Sequence, residues 1–188
     1  MTLARGFKTE AEWYAENVRR ELGVGPANPL DPWALAKHLD HEVCYLSAFA
    51  DQHPREVACL QQATGARGFS ALLLHAGSAR LILLNDRHAR TRQAADLAHE
   101  LAHALLLHEP LPLERSQGVR RYDGKAEKEA EWLGATLLVP RPAVAKIIAA
   151  GWPVETAARQ YGVSVDLMQM RLNKTGARKR VPRGGSRR

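Results

Sequence analysis

The sequence predicts an α+β fold that is mainly helical, with a small antiparallel sheet and a helix-turn-helix-like segment near the C-terminus. Long segments repeat apolar residues at the three- and four-residue spacing of a helix with one buried side. Short apolar runs bounded by glycine and polar residues are typical of strands. The 188 residues are 45% hydrophobic, which is enough for one domain with a substantial core.

Two short helices are predicted before the first strand. The segment Thr9–Glu12 has the pattern of a capping box, which predicts a helix that starts there, runs to Leu22 and stops at Gly23. The pair Asp31–Pro32 provides a side-chain cap followed by a proline suited to the first helical turn. It therefore predicts a second helix, which continues to Leu39.

Three strands are predicted in the middle of the chain, over residues 42–46, 69–75 and 79–84. The last two flank an Ala-Gly-Ser turn at 76–78, which favours a hairpin and hence antiparallel pairing. Residues 109–124 are rich in proline, arginine and glycine, and we expect them to form a surface loop.

The most specific motif is HELAH at residues 99–103, inside a long predicted helix that Pro110 ends. His99 and His103 are four residues apart, so they lie on one helical face, and Glu100 lies between them in sequence. Two unliganded histidines in such an apolar helix would be costly to bury without partners. The pattern therefore predicts a zinc site, which needs a third protein ligand, a water and a base for that water.

The third ligand is predicted on an acidic helix over residues 125–140. Glu127 and Glu131 are four apart and share a face, so one can bind the metal while the other accepts the outer N–H of a liganding histidine. Glu127 is the predicted ligand and Glu131 the outer partner. Glu129 lies about 200° around the helix from Glu127 and is the alternative ligand. His108 is expected to continue the motif helix and rotate away from the metal.

The last predicted elements form a helix, a tight turn and a second helix over residues 154–172, with Ser164 as N-cap of the second helix. Two hypotheses remain for this segment: sequence-specific DNA binding, or packing against the rest of the protein. The second helix is expected to turn Leu167, Met168 and Leu172 inward. Its expected exposed face consists of Val165, Asp166, Gln169 and Arg171.

The net charge of +7 belongs to the C-terminal end. Residues 171–188 carry eight of the 27 basic side chains and no acidic one, so the remaining 170 residues have a net charge of −1. Residues 176–188 are predicted to be a disordered basic tail that either contacts nucleic acid weakly or only adds solubility.

The expected compartment is the cytoplasm. The N-terminal residues do not have the pattern of a secretory signal, and no apolar run reaches membrane-spanning length. The chain has two cysteines, Cys44 and Cys59, which we expect to be free and buried rather than disulfide-bonded.

Within this framework the chain resembles the ImmA/IrrE family of zinc-dependent metallo-endopeptidases, which cleave helix-turn-helix repressors. The family pattern R-x-x-F-T-x-A-H-E-x-G-H, followed by E-x-E-A-N-x-F-A-A-x-L-L-M-P, corresponds here to residues 92–103 and 127–140, with Asn85 upstream. Four departures from the pattern matter, and they are Ala95, Asp96, Ala102 and Glu131.

The resemblance implies that His99, His103 and Glu127 bind zinc, or alternatively manganese, and that Glu100 is the catalytic base. It also implies a zincin-like metallopeptidase domain over residues 1–150, a helical segment over 151–175 and the tail over 176–188. The implied substrate is a helix-turn-helix repressor, whose segment would add to the sheet edge beside the site. By position alone, Tyr122 and His108 are candidates to stabilise the oxyanion.

A hypothesis from a different class is a regulatory module that binds DNA or protein and keeps a structural or vestigial zinc site. Replacing Glu100 by glutamine distinguishes the two, because only the peptidase depends on that carboxylate once the metal is bound.

Overall fold

A computed structural model describes residues 3–62, 69–76, 79–108 and 124–175. These residues form an α+β fold that is mainly helical, as the sequence predicts. In chain order the elements are α1 (Phe7–Glu21), α2 (Pro32–His38), β1 (Glu42–Tyr45), a 3-10 turn (Leu46–Phe49), α3 (Pro54–Gln62), β2 (Ala71–Ala76), β3 (Ala79–Leu84), α4 (Arg90–Leu105), α5 (Gly124–Leu138), α6 (Arg141–Ala149), α7 (Val154–Tyr161) and α8 (Val165–Lys174).

The sheet has three strands in the order β1-β3-β2, and it is mixed rather than antiparallel. β2 and β3 form the predicted antiparallel pair, with Leu73 opposite Ile82. β1 instead runs parallel to β3, with Val43 opposite the same Ile82. The 3-10 turn and α3 carry the chain from β1 to the far edge of the sheet. A parallel pair needs such a crossover, and a hairpin signal contains no information about it.

The core lies on both sides of α4. Leu97 and Leu101 of α4 pack into one cluster with α1, α2, α5 and the inner face of the sheet. Ala98 packs into a second cluster formed by α6, α7 and α8. Both clusters consist of fully or almost fully buried side chains, so α4 is packed on two sides. A shift of α4 would therefore disturb the packing of both clusters.

The start of α1 differs from the prediction. The helix begins at Phe7, its N-cap is Gly6 with φ of +91°, and no side chain caps it. Glu12, the predicted partner in a local capping box, instead accepts a hydrogen bond from the backbone N–H of Arg141 at 2.8 Å. It therefore caps the first turn of α6, more than a hundred residues away, which no local pattern could reveal.

The remaining helices agree with the sequence in part. The Asp31 side chain accepts from Trp33 N at the start of α2, and Ser164 accepts from Leu167 N at the start of α8, as predicted. The helices α3 and α6 are not predicted. Within the described part of the chain, no single helix is long and apolar enough to cross a membrane. Taken together, α5 and α6 reach the length and composition of a membrane span, but they are bent by 48° at their junction.

Some predictions lie outside the described residues. These are the turn at 77–78, the loop at 109–123 with Tyr122, and the tail at 176–188. Both cysteines are free. Cys59 is exposed rather than buried, because it lies on the outer side of α3, an amphipathic helix that was not predicted.

Candidate metal centre

Two histidines on α4 form the base of the site. His99 and His103 are one helical turn apart, and their Nε2 atoms approach to 3.1 Å. Both side chains are partly buried, whereas Leu97 and Leu101 on the other faces are fully buried. The helix therefore fixes the rings from behind and leaves one side of them accessible.

Glu127, in the first turn of α5, completes a group of three possible ligands. Its Oε2 lies 3.3 Å from His99 Nε2, and its Oε1 lies 3.6 Å from His103 Nε2. The ligand atoms of the three residues lie within 4.8 Å of one another. Two turns further along α5, Gly134 touches α4: a Cβ there would lie 3.0 Å from the carbonyl oxygen of Ala98. The absence of a side chain at Gly134 thus lets α5 come close enough to bring Glu127 to the histidines.

The three residues fit a zinc ion. Ligands about 2.0–2.1 Å from zinc at tetrahedral angles lie about 3.3 Å apart. The two Nε2 atoms are 3.1 Å apart, and each lies 3.3 or 3.6 Å from a different oxygen of Glu127, so the spacing of the donor groups is close to that edge length. Two imidazoles and one carboxylate leave a fourth position for water, as in catalytic rather than structural zinc sites. The same donors also suit manganese.

The electrostatics of the group favour a cation. Hydrogen bonds from His103 and His99 hold the pKa of Glu127 well below its usual range. Burial alone would lower the pKa of His99, but the hydrogen bond to Glu127 and the charges of Glu100, Glu127 and Asp96 outweigh burial, and the pKa is raised. The raised pKa of His99 reports the negative charge around it, and the lowered pKa of Glu127 keeps that carboxylate anionic, so a divalent metal would meet a negatively charged group there.

Glu100 is buried beside the strand β2. Its Oε2 accepts a hydrogen bond from the backbone N–H of Leu73 at 3.0 Å. Among the described residues no hydrogen bond involves its other oxygen, Oε1. The carboxylate is therefore anchored through one oxygen, and the second remains to accept a proton.

The structure places the other two glutamates of α5 apart from the three possible ligands. Glu131 is exposed on the outer side of the helix. Glu129 is mostly buried, and its Oε2 lies 3.7 Å from Nε2 of His108. Glu127 is thus the carboxylate next to the two histidines, and Glu129 lies behind them.

His108 does not follow the rotation of α4, contrary to expectation. The helix ends at Leu105, and the chain turns back so that Nδ1 of His108 lies 3.0 Å from Nδ1 of His103. His108 is therefore on the side of His103 opposite to Glu127. It is outside the group of possible ligands, but for a different reason than the one expected from the sequence.

Two features of the site are absent from the sequence analysis. The backbone N–H of Leu73 leaves no side-chain signature, so nothing in the sequence links β2 to Glu100. Gly134 carries a signal, because an isolated glycine inside a helix often marks a close approach of another backbone. It stands where the family pattern has alanine, so the pattern itself does not mark it.

The C-terminal helix pair has less surface for nucleic acid than predicted. Arg171, expected on the exposed face of α8, is completely buried. Its guanidinium donates to the carbonyl of Val139 and to the carboxylate of Glu12, each at 2.8 Å. Met168 and Leu172 are buried, as predicted for the inward face of α8. Packing against the protein thus uses Arg171, whereas Lys174 in the last turn of α8 stays exposed.

The comparison with known families agrees with this geometry. The sequence model of the peptidase M78 family, described as the IrrE N-terminal-like domain, matches residues 37–173. That range contains the histidine pair of α4, the acidic start of α5 and the C-terminal helix pair. No curated protein sequence matches the chain.

Proposed function

Because the chain belongs to the peptidase M78 family, with its IrrE N-terminal-like domain, we propose that it is a zinc-dependent endopeptidase that acts on a helix-turn-helix repressor. The observation that carries the proposal is the group of His99, His103 and Glu127, whose nearest nitrogen and oxygen atoms are 3.1–3.6 Å apart, next to the buried Glu100. Family membership supports a metallopeptidase, and the resemblance at residues 92–103 and 127–140 supports the substrate class.

His99, His103 and Glu127 would hold the metal. A bound zinc ion would polarise the scissile carbonyl and lower the pKa of a water molecule towards 7. The ring orientation is set by α4, and Glu127 is brought in by the close contact of α5 at Gly134. Manganese in the same place would supply the same polarisation.

Glu100 would act as the general base. Its Oε2 is held by the Leu73 amide, so the Oε1 oxygen would take the proton of the attacking water and pass it to the leaving amine. Burial next to an anchored hydrogen bond keeps the carboxylate in one orientation. A base fixed in this way needs no reorganisation during the reaction.

An edge of the sheet supports a peptide substrate. β2 is an edge strand, and Asn85 N donates to Ser70 O at 2.8 Å, so even-numbered residues of β2 pair with β3. The backbone of Ala71 and Leu73 then faces the open edge, which is also the side of Glu100. The Leu73 N–H is already bonded to Glu100, so an extended segment of a substrate would add there as a further strand through the remaining backbone groups of this edge, next to the metal. A transcriptional repressor as substrate places the proposed activity in the cytoplasm and in transcription regulation.

Glu100→Gln tests the proposal. The variant is expected to bind one zinc per chain like the wild type, because glutamine keeps the hydrogen bond to Leu73, but to lose cleavage by at least about 100-fold. Zinc content is measured after dialysis. Cleavage is measured on a co-expressed helix-turn-helix protein encoded beside the gene.

Glu131→Gln is the matched control, since Glu131 is an exposed glutamate on the neighbouring helix, and it should cleave like the wild type. Undiminished cleavage by Glu100→Gln would contradict the peptidase mechanism. Regulation that persists without any cleavage would favour a binding module with a structural metal.

A further inference from the structure

The end of α4 folds back onto the site through a Schellman motif. Leu107 N donates to Ala104 O at 3.2 Å, and His108 N donates to His103 O at 3.0 Å. The residue in the left-handed position is Leu107, with φ of +53°, where glycine is usual. Its side chain is 86% exposed, so apolar burial does not explain its conformation. The turn places the side chain of His108 directly over that of His103.

The two imidazoles meet through their Nδ1 atoms. The Nδ1 atoms are 3.0 Å apart, and the ring planes are inclined by 68°. His103 directs its Nε2 towards Glu127 and His99, so a metal bound there requires the proton of His103 to be on Nδ1. His103 Nδ1–H must then donate, and Nδ1 of His108 must accept.

The proton of neutral His108 is consequently on Nε2, and a carboxylate lies on that side. Glu129 Oε2 is 3.7 Å from His108 Nε2, and the side chains of His108 and Glu129 are only 16% and 12% exposed. The order of atoms is therefore a liganding imidazole, an accepting imidazole and a terminal carboxylate. Binding of a metal at His103 Nε2 thus requires the proton of His103 on Nδ1, and this in turn requires the proton of His108 on Nε2.

We propose that His108 is a positioning residue for the metal centre: it accepts the outer N–H of His103 and thereby fixes the tautomer and ring orientation that direct Nε2 to the metal. The inference rests on the proposed function, because it needs a metal at His103. It assigns to His108 the outer role predicted for Glu131, which is exposed. Loss of such an outer partner typically weakens metal binding by about 10- to 100-fold.

Three substitutions at His108 distinguish acceptance at Nδ1 from simple packing. Asparagine places its Oδ1 where histidine has Nδ1, so His108→Asn is expected to bind zinc within about threefold of the wild type. Glutamine places its amide one bond further out, near the original Nε2, and leucine offers no acceptor. For His108→Gln and His108→Leu we expect zinc affinity to fall by about 10- to 100-fold.

Zinc affinity is measured by competition with a chromophoric chelator, and the coordination geometry by the visible absorption of the Co²⁺-substituted protein. Leu107→Gly is the matched control in the same turn, since glycine adopts a positive φ more readily, and its affinity should stay within about twofold. Thermal melting with chelator present shows whether each metal-free variant is folded.

His108→Leu with wild-type zinc affinity and an unchanged Co²⁺ spectrum would overturn the proposal. So would His108→Asn binding as weakly as His108→Gln, and this comparison holds even where the leucine variant does not fold. If the wild-type protein binds zinc and the His108 substitutions leave that affinity unchanged, only this inference is refuted. A wild-type protein that binds no zinc refutes the proposed function as well.

Discussion

Glu127 is the residue on which the candidate metal centre depends most clearly, because within the described part of the chain it is the only acidic side chain that pairs with both Nε2 atoms. Its pKa is held low by His103 and His99, so it is anionic at neutral pH and needs no deprotonation to bind a metal. Glu129 and Glu131 are carboxylates on the same helix, but Glu129 lies beside His108 and Glu131 is exposed.

We therefore expect Glu127→Gln to abolish stabilisation by zinc, whereas Glu131→Gln keeps it. Zinc at 100 times its Kd stabilises a folded protein by about 2.7 kcal/mol, which thermal melting with and without chelator detects. Glu129→Gln should give an intermediate loss, since its carboxylate lies behind His108. A larger loss for Glu131→Gln than for Glu127→Gln would contradict this assignment.

Side chains at fixed helical spacing could be predicted from the sequence, and those that depend on where a helix ends could not. His99 and His103 share a face in any helix that contains both. The position of His108 depends on α4 ending at Leu105, and no glycine or asparagine marks the left-handed residue that follows. Leu107 adopts that conformation although leucine disfavours it, so a local propensity argument leads away from the observed turn.

At the scale of elements, the site depends on how closely α5 approaches α4. A Cβ at Gly134 would lie 3.0 Å from Ala98 O and 3.1 Å from His99 N. These are backbone atoms in a buried helix, so they yield only if the two helices separate. We expect Gly134→Ala to lower the free energy of unfolding by about 1–3 kcal/mol through overpacking.

The same separation moves Glu127 away from the histidines, so zinc affinity should fall together with stability. Urea denaturation of the metal-free protein gives the first quantity, and chelator competition gives the second. Glu131→Ala, at an exposed position of the same helix, should change stability by no more than about 0.5 kcal/mol. Wild-type zinc binding by Gly134→Ala would show that the close approach does not position Glu127.

The sheet shows the same division between local and long-range information. The antiparallel hairpin of β2 and β3 is encoded by a turn between two apolar runs, and it could be predicted. The parallel pairing of β1 with β3 depends on the 3-10 turn and α3, which carry the chain from β1 to β2 and were not predicted. The residues of a strand do not reveal its direction when that direction is set by a distant crossover connection.

At the scale of the whole molecule, a buried ion pair joins the two ends of the chain. Arg171 of α8 is fully buried, and it donates to Glu12 of α1 at 2.8 Å. The other oxygen of Glu12 caps α6. Arg171 also donates to Val139 O beyond the end of α5, where partial negative charge collects.

Removing Glu12 would leave the charge of Arg171 buried without its counter-ion. We expect Glu12→Ala to lower the free energy of unfolding by about 3–5 kcal/mol. Glu16→Ala is the control one turn along α1, where an exposed pair with Arg20 should contribute no more than about 0.5 kcal/mol. Equal effects of the two substitutions, measured by urea denaturation, would show that burial of the pair is unimportant.

The division of the chain at residue 150 is open to test by truncation. The second core cluster joins Ala98 of α4 to buried residues of α7 and α8, including Tyr161 and Met168. Ala98 directly precedes His99, one of the three possible metal ligands. A chain ending at residue 150 would expose this apolar surface and lose the partner of Glu12, so we expect it to be poorly soluble and to bind little zinc.

A chain ending at residue 175 keeps both core clusters and the ion pair, so it should retain the zinc affinity and urea midpoint of the full-length protein. Zinc stoichiometry, fluorescence of a dye that binds apolar surface, and urea denaturation compare the three chains. Full zinc binding and cooperative unfolding by residues 1–150 would mean that the helix pair is a separate module. The helix pair would then be available for a partner of its own, whereas failure of that chain assigns it to the support of α4.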